Sequence, residues 1–283
     1  MENCPIYVGA PTTRCGTTLI QRLISSADNG ICYGEFTARR LLALSIFTKT
    51  QLQTIEEQMQ GQKYDWDKVK SGDVQFWMAA LEPPVEYSKG ALLSCIEAFC
   101  ESYQNSAKSI KRDIWATKSP RVSIDNLLVM QSLIPNLNCI YVYRNIVDVV
   151  KSQKARGWVK NKRDLILSCK EWVANTQAFL PLTKPENAAR TPRLHLVKYE
   201  DFVSDLPVGI NKLQEFSGLQ GIDPEVAKVK VNTFASGSNS DPGNANNYIK
   251  PADLSRDEIK NIAKICKSRM NELYPEMADS LSH

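Results

Sequence analysis

Short apolar runs that end in polar loops and lead into helix-like stretches recur along this chain, and that alternation limits its fold more than any other feature. Pro5 to Ala10 (PIYVGA) is such a run, followed by a Gly-containing turn and an amphipathic stretch from Thr17 to Ser26 with Leu19, Leu23 and Ile24 at helical spacing. Arg112 to Thr117, Asn138 to Tyr143 and Arg193 to Lys198 read as further strands, and Ile31-Cys32-Tyr33 as a short one. Helices are expected over Arg121 to Leu133, Ile146 to Arg156, Arg163 to Leu180 and Leu206 to Ser217. Strands alternating with helices imply an α/β fold with a central parallel sheet flanked by helices. Ligands then belong at the carboxyl ends of the strands.

No Pro-, Gly- or Ser-rich tether divides the 283 residues, so a single domain is expected over residues 1–283. Between Phe36 and Lys111 the pattern is mostly helical and carries Leu41, Phe47, Tyr64, Trp66, Phe76, Trp77 and Tyr87. Residues 36–111 read as an insertion beside the sheet, placed to cover an acceptor, although such apolar spacings serve packing equally well. A net charge of +4 is too small to imply nucleic-acid binding, yet it suits a multiply anionic ligand. Met1-Glu2-Asn3 runs almost at once into the first strand, and no stretch is apolar enough to span a membrane. The eight cysteines form neither CxxC pairs nor a disulfide framework, which fits reduced thiols and a cytoplasmic setting.

The first strand-to-helix loop, Gly9 to Thr18, offers free backbone N–H groups, hydroxyls from Thr17 and Thr18, and the charge of Arg14 to a phosphate. It is not a nucleoside-triphosphate P-loop, because no lysine precedes Thr17. A turn that merely starts a helix remains an equal reading. Arg144 ends a strand and Ser152 follows eight residues later, so both reach one anion only if the intervening helix runs alongside it. Singly, each also reads as an ordinary surface or helix-face residue.

Together these elements resemble the PAPS-dependent sulfotransferases, where PAPS is 3′-phosphoadenosine-5′-phosphosulfate. Arg14-Cys15-Gly16-Thr17-Thr18 is similar to the family's 5′-phosphosulfate loop, Arg144 and Ser152 to its 3′-phosphate pair, and Lys198-Tyr199-Glu200-Asp201 to its Tyr-Glu segment. A closer resemblance is to tyrosylprotein sulfotransferases, carried by Gly34-Glu35 to Arg39, Lys118-Ser119-Pro120 and Tyr248-Ile249-Lys250-Pro251. The chain departs from that pattern at Phe36, at a displaced Arg39, at Cys15 in place of serine, and in two extra residues between Pro11 and Arg14. The resemblance implies the P-loop-like sulfotransferase fold, PAPS as sulfuryl donor, and its 3′,5′-bisphosphate, PAP, as product.

Sulfuryl transfer needs in-line attack, charge neutralisation and a route for the acceptor's proton. Arg14 and Lys118 are the candidates for charge stabilisation. The only histidines, His195 and His283, are poorly placed, so a carboxylate must serve as base. Position and resemblance single out Glu35, which read alone is also a plain helix N-terminal charge. Ser236, Ser238 and Lys250, in or beside the donor-rich stretch 236–247, are further nucleotide contacts. No ligand-like cluster suggests a metal. The expected acceptor is a small-molecule hydroxyl or amine in natural-product tailoring. Asp65, Asp67, Asp73, Glu82 and Glu86 bring in a cationic example such as a guanidinium toxin. A peptide tyrosine and a non-catalytic nucleotide-binding role are the alternatives.

Overall fold

The computed structural model describes residues 5–58, 62–79, 81–183, 193–231 and 248–277. Five strands, β1 (Ile6–Ala10), β2 (Gly30–Tyr33), β3 (Ile114–Pro120), β4 (Asn138–Tyr143) and β5 (Leu194–Lys198), form one parallel sheet in the order β2-β3-β1-β4-β5. The residues of β1, β3 and β4 are nearly all buried, and β1 and β4 read as near-continuous apolar runs rather than as alternations. The period of two survives in the packing. Ile6, Val8, Ile140 and Val142 enter the core on one face, and Tyr7, Trp115, Cys139 and Tyr141 the core on the other.

The first face is covered by α1 (Thr17–Ser26), α8 (Tyr199–Ser204) and α9 (Leu206–Ser217), through Ile20, Leu23, Phe202, Ile210 and Leu213. Against the second face lie α2 (Glu35–Gln58), α4 (Val85–Ser109), α5 (Ile124–Leu133), α6 (Ile146–Ala155), α7 (Lys162–Phe179) and α10 (Arg256–Leu273). A nine-residue α3 (Gln62–Lys70) follows α2. Helices α1 and α9 and strand β4 have the expected bounds, and the remaining predicted elements differ by a few residues at their ends.

Helix α10 has no counterpart in the sequence reading, although its start carries a capping box. The Ser255 side chain accepts from the Glu258 N–H while Glu258 returns a contact to the Ser255 N–H. Within 36–111 the helices are α2, α3 and α4, and Leu41 and Ile96 pack in the core, whereas Trp77 is 83% exposed. Cys15, Cys32, Cys95, Cys100, Cys139, Cys169 and Cys266 are free thiols. Among the described residues, no helix is long and apolar enough to cross a membrane.

Strand order reverses about β1, so the chain leaves β1 toward β2 on one side and β3 toward β4 on the other. A crevice opens at the carboxyl ends of the strands beside such a switch point. The loops after β1, β3 and β4 all meet there.

Candidate active site

The crevice is a cavity of about 570 Å³ lined by Arg14, Gly16, Thr17, Thr18, Glu35, Lys118, Arg144, Ser152 and Tyr199, among others. Nine of the predicted site residues, distant in sequence, thus share one wall-to-wall space. Arg14 is held at its mouth by three elements. Its Nε donates to Ser152 Oγ at 2.9 Å, its backbone carbonyl faces Arg144 Nη1 at 3.5 Å, and its guanidinium lies 5.6 Å from the Trp158 ring. Burial lowers the Arg14 pKa, and the charges of Arg156 and Arg144 lower it further.

The donor loop reaches this geometry through an unusual backbone. Arg14 has φ 71° and Gly16 φ 105°, both in the left-handed region. At Gly16 a side chain is excluded as well, since a Cβ would fall 2.3 Å from Tyr199 Cδ2. The Tyr199 ring lies on that backbone and carries the Arg144 guanidinium 4.5 Å from its centroid. Glu200 fixes the stack from behind: its Oε1 accepts from the Asn145 N–H at 3.0 Å and from Asn145 Nδ2 at 2.7 Å. The Tyr199-Glu200 pair therefore joins the ends of β4 and β5 to the donor loop. Arg144 also faces Asp148 at 3.5 Å, and its buried Nε has no hydrogen-bond partner among the described residues.

Glu35 and Lys118 meet because β2 and β3 are parallel neighbours in the register Tyr33↔Thr117. Thr117 Oγ1 donates to the Gly34 carbonyl at 3.2 Å, setting the turn from which α2 starts. Lys118 Nζ then donates to Glu35 Oε1 at 2.8 Å and Arg39 Nη2 to Oε2 at 2.9 Å. Partial burial by itself raises the Glu35 pKa, but the Lys118 contact and charge, followed by Arg39, bring it below the ordinary carboxylate value.

Two predicted contacts are placed differently. Cys15 turns its side chain into the core with no exposure, and burial pushes its thiol up to about 12, so only its main chain is left for a ligand. Lys250 is exposed and outside the cavity lining, while its neighbours Tyr248 and Pro251 are part of it. Ser236 and Ser238, like His283, lie outside the described residues.

Sequence reasoning missed Arg22, Trp158 and the stretch from Ala227 to Val231, all of which line the cavity. Arg22 stands one turn beyond Thr18 and binds the Val226 and Val229 carbonyls at 2.8 and 2.7 Å, holding that stretch to the site. Its helical spacing from Thr18 was the available signal. Asp65, Asp67, Asp73, Glu82 and Glu86 are not among the lining residues. Among the described residues, no group of three or more His, Cys, Asp or Glu is arranged to hold a metal.

Residues 10–281 match the family model described as "Sulfotransferase domain". No curated protein matches the chain. Among solved structures, the chain is similar to the sulfotransferase domain from the curacin biosynthetic pathway at 17% identity, over 80% of this chain and 77% of that one, with a TM-score of 0.45. The sulfotransferase domain of the Synechococcus PCC 7002 olefin synthase matches at 18% identity, over 93% and 95%, with a TM-score of 0.47. Retinol dehydratase, solved in complex with retinol and PAP, matches at 14% identity, over 81% and 64%, with a TM-score of 0.31.

Proposed function

The chain belongs to the sulfotransferase domain family, and from that premise we propose that it takes the sulfuryl group of PAPS and passes it to a hydroxyl or amine of a small molecule, releasing PAP. The observation that carries the reading is the convergence of Arg14, Arg144 and Ser152 on the same cavity as the Glu35–Lys118 pair. The residues present fit such a donor. Arg144 Nε is buried with no hydrogen-bond partner among the described residues, and the charges of Arg156 and Arg144 that lower the Arg14 pKa would be offset by a multiply charged anion.

When bound, PAPS supplies the sulfuryl group. Arg144 and Ser152 hold the 3′-phosphate, while Arg14, Thr17, Thr18 and the main chain from Cys15 to Gly16 hold the phosphosulfate end. Glu35 takes the proton of the acceptor as its oxygen or nitrogen bonds to sulfur, and Lys118 and Arg14 offset the charge that collects on the departing phosphate oxygen. Ser236 and Ser238, outside the described residues, are further nucleotide contacts in this reading, whereas Lys250 lies outside the cavity lining.

A cavity of about 570 Å³ falls within the usual range for small-molecule sites, which supports a small acceptor. The reading extends to natural-product tailoring in the cytoplasm. The acidic residues of the helical region lie away from the cavity and lend no support to a guanidinium acceptor. A peptide tyrosine is the second reading, favoured by the open surface beside the base: Phe36 is 77% exposed and carries Arg39 6.0 Å from its ring centroid.

Calorimetric titration with PAP, with ATP and adenosine 5′-phosphosulfate as controls, tests the donor. Micromolar binding of PAP alone is expected, and preference for ATP overturns the assignment. Acceptor screens with PAPS, one containing a tyrosine peptide, then separate the two acceptor classes. PAP binding with no product from either screen points instead to a non-catalytic nucleotide-binding role.

A further inference from the structure

Outside the cavity, one face of α7 carries Ser168, Glu171, Trp172 and Asn175, spaced as i, i+3, i+4 and i+7 and therefore aligned along the helix. Each reaches a segment that builds the site. Ser168 Oγ donates to Gln153 Oε1 at 2.5 Å, and Gln153 Nε2 donates in turn to Thr13 Oγ1 at 3.0 Å. Trp172 Nε1 donates to the Arg144 carbonyl at 3.0 Å, and Asn175 Nδ2 to the Pro11 carbonyl at 2.6 Å.

Glu171 is the member that joins two loops at once. Its Oε2 accepts from Thr12 Oγ1 at 2.6 Å and its Oε1 from Arg121 Nε at 2.5 Å. Thr12 and Thr13 immediately precede Arg14 in the loop after β1, and Thr12 is fully buried. Arg121 closes the turn after β3, the strand that carries Lys118. The two anchored loops also hold Arg14 at φ 71° and Arg121 at φ 65°. Such backbone persists only where surrounding contacts over-determine it.

We propose that Glu171 is a positioning residue for sulfuryl transfer, which through Thr12 and Arg121 sets the Arg14 loop against the Lys118 strand end. The loop is then not slack, since the Thr12 and Thr13 hydroxyls are its points of attachment. This inference rests on the donor reading above, because Arg14 matters only if it binds the phosphosulfate end.

A double-mutant cycle on PAP binding tests it, read by calorimetry on the full chain. Glu171→Gln and Thr12→Val should each weaken PAP about tenfold, as expected when a charge-assisted contact that orders the loop is lost. In an Arg14→Ala background each should change affinity less than about twofold, because the group being positioned is gone. A merely structural role predicts the same loss in both backgrounds, and that result overturns the proposal, as does parent-like affinity in both single variants. Thr12→Val carries the test if Glu171→Gln does not fold. If the parent itself binds no PAP, the donor reading fails first and takes this inference with it.

Discussion

Lys118 Nζ lies 2.8 Å from Glu35 Oε1, although 83 residues separate the two in sequence. The pair exists because β2 and β3 run parallel in fixed register, each delivering its residue one or two positions beyond the last paired one. The proposed base and the proposed charge-stabilising cation are thus held side by side, with Arg39 on the second carboxylate oxygen.

Glu35→Gln is expected to lower turnover by about 100-fold or more, the scale of removing a general base. PAP affinity should change little, since the carboxylate adds no favourable contact to an anion. Normal turnover with the screened acceptor would remove Glu35 from the mechanism.

Acid should weaken this arrangement. The Glu35 carboxyl titrates below the ordinary 4.5, its burial being outweighed by Lys118 and Arg39. Glu258 is lowered as well, first by its hydrogen bond from Lys154. A carboxyl whose folded pKa is depressed contributes stability that is fully present above its unfolded value and lost as pH falls through the folded one. Melting temperature should therefore hold steady above about pH 5 and decline below the ordinary carboxylate range. The gap between the parent and Glu35→Gln should narrow over the same interval. A gap that widens on acidification contradicts the pairing.

Arg144→Ala should weaken PAP by roughly 10- to 100-fold, corresponding to about 1.5–3 kcal/mol for a hydrogen bond to a charged group. The loss should be smaller for a nucleotide lacking the 3′-phosphate. Equal affinity of the parent for both nucleotides would show that Arg144 does not read that phosphate.

Gly16→Ala should cost about 1–3 kcal/mol in stability for a side chain at positive φ, plus the displacement of Tyr199, whose Cδ2 lies 2.3 Å from the new Cβ position. Nucleotide binding should fall with it. Adding Tyr199→Ala should relieve the overlap but not the backbone strain, so partial recovery of thermal stability is expected. Full recovery would mean that the positive φ costs nothing here.

Much of the fold was legible because β1 and β4 are buried on both faces and so appear as near-continuous apolar runs, with Ile114 to Ala116 a shorter one in β3. Helix α10 was not, since its polar, Lys-rich surface masks the few residues, Ile262, Cys266 and Met270, that pack beneath it. In the site, Arg14 and Arg144 were visible from their place after strand ends, and Ser152 from its spacing to Arg144. Arg22 left only its helical spacing from Thr18 as a trace, and Trp158 left none that separates it from an ordinary turn aromatic. Cys15 shows the reverse: its loop position suggested a contact, and backbone geometry turned the side chain inward.

The order of elements, the parallel sheet and the kinds of side chain at each strand end follow from local pattern, because burial and backbone hydrogen bonding leave periodic traces along the chain. Which of those side chains face each other does not. The pairing of Glu35 with Lys118, the stacking of Arg144 on Tyr199 and the grip of Glu171 on Thr12 and Arg121 depend on strand order, register and helix rotation. Those are set by the packing of all elements at once, and no single stretch of sequence carries them.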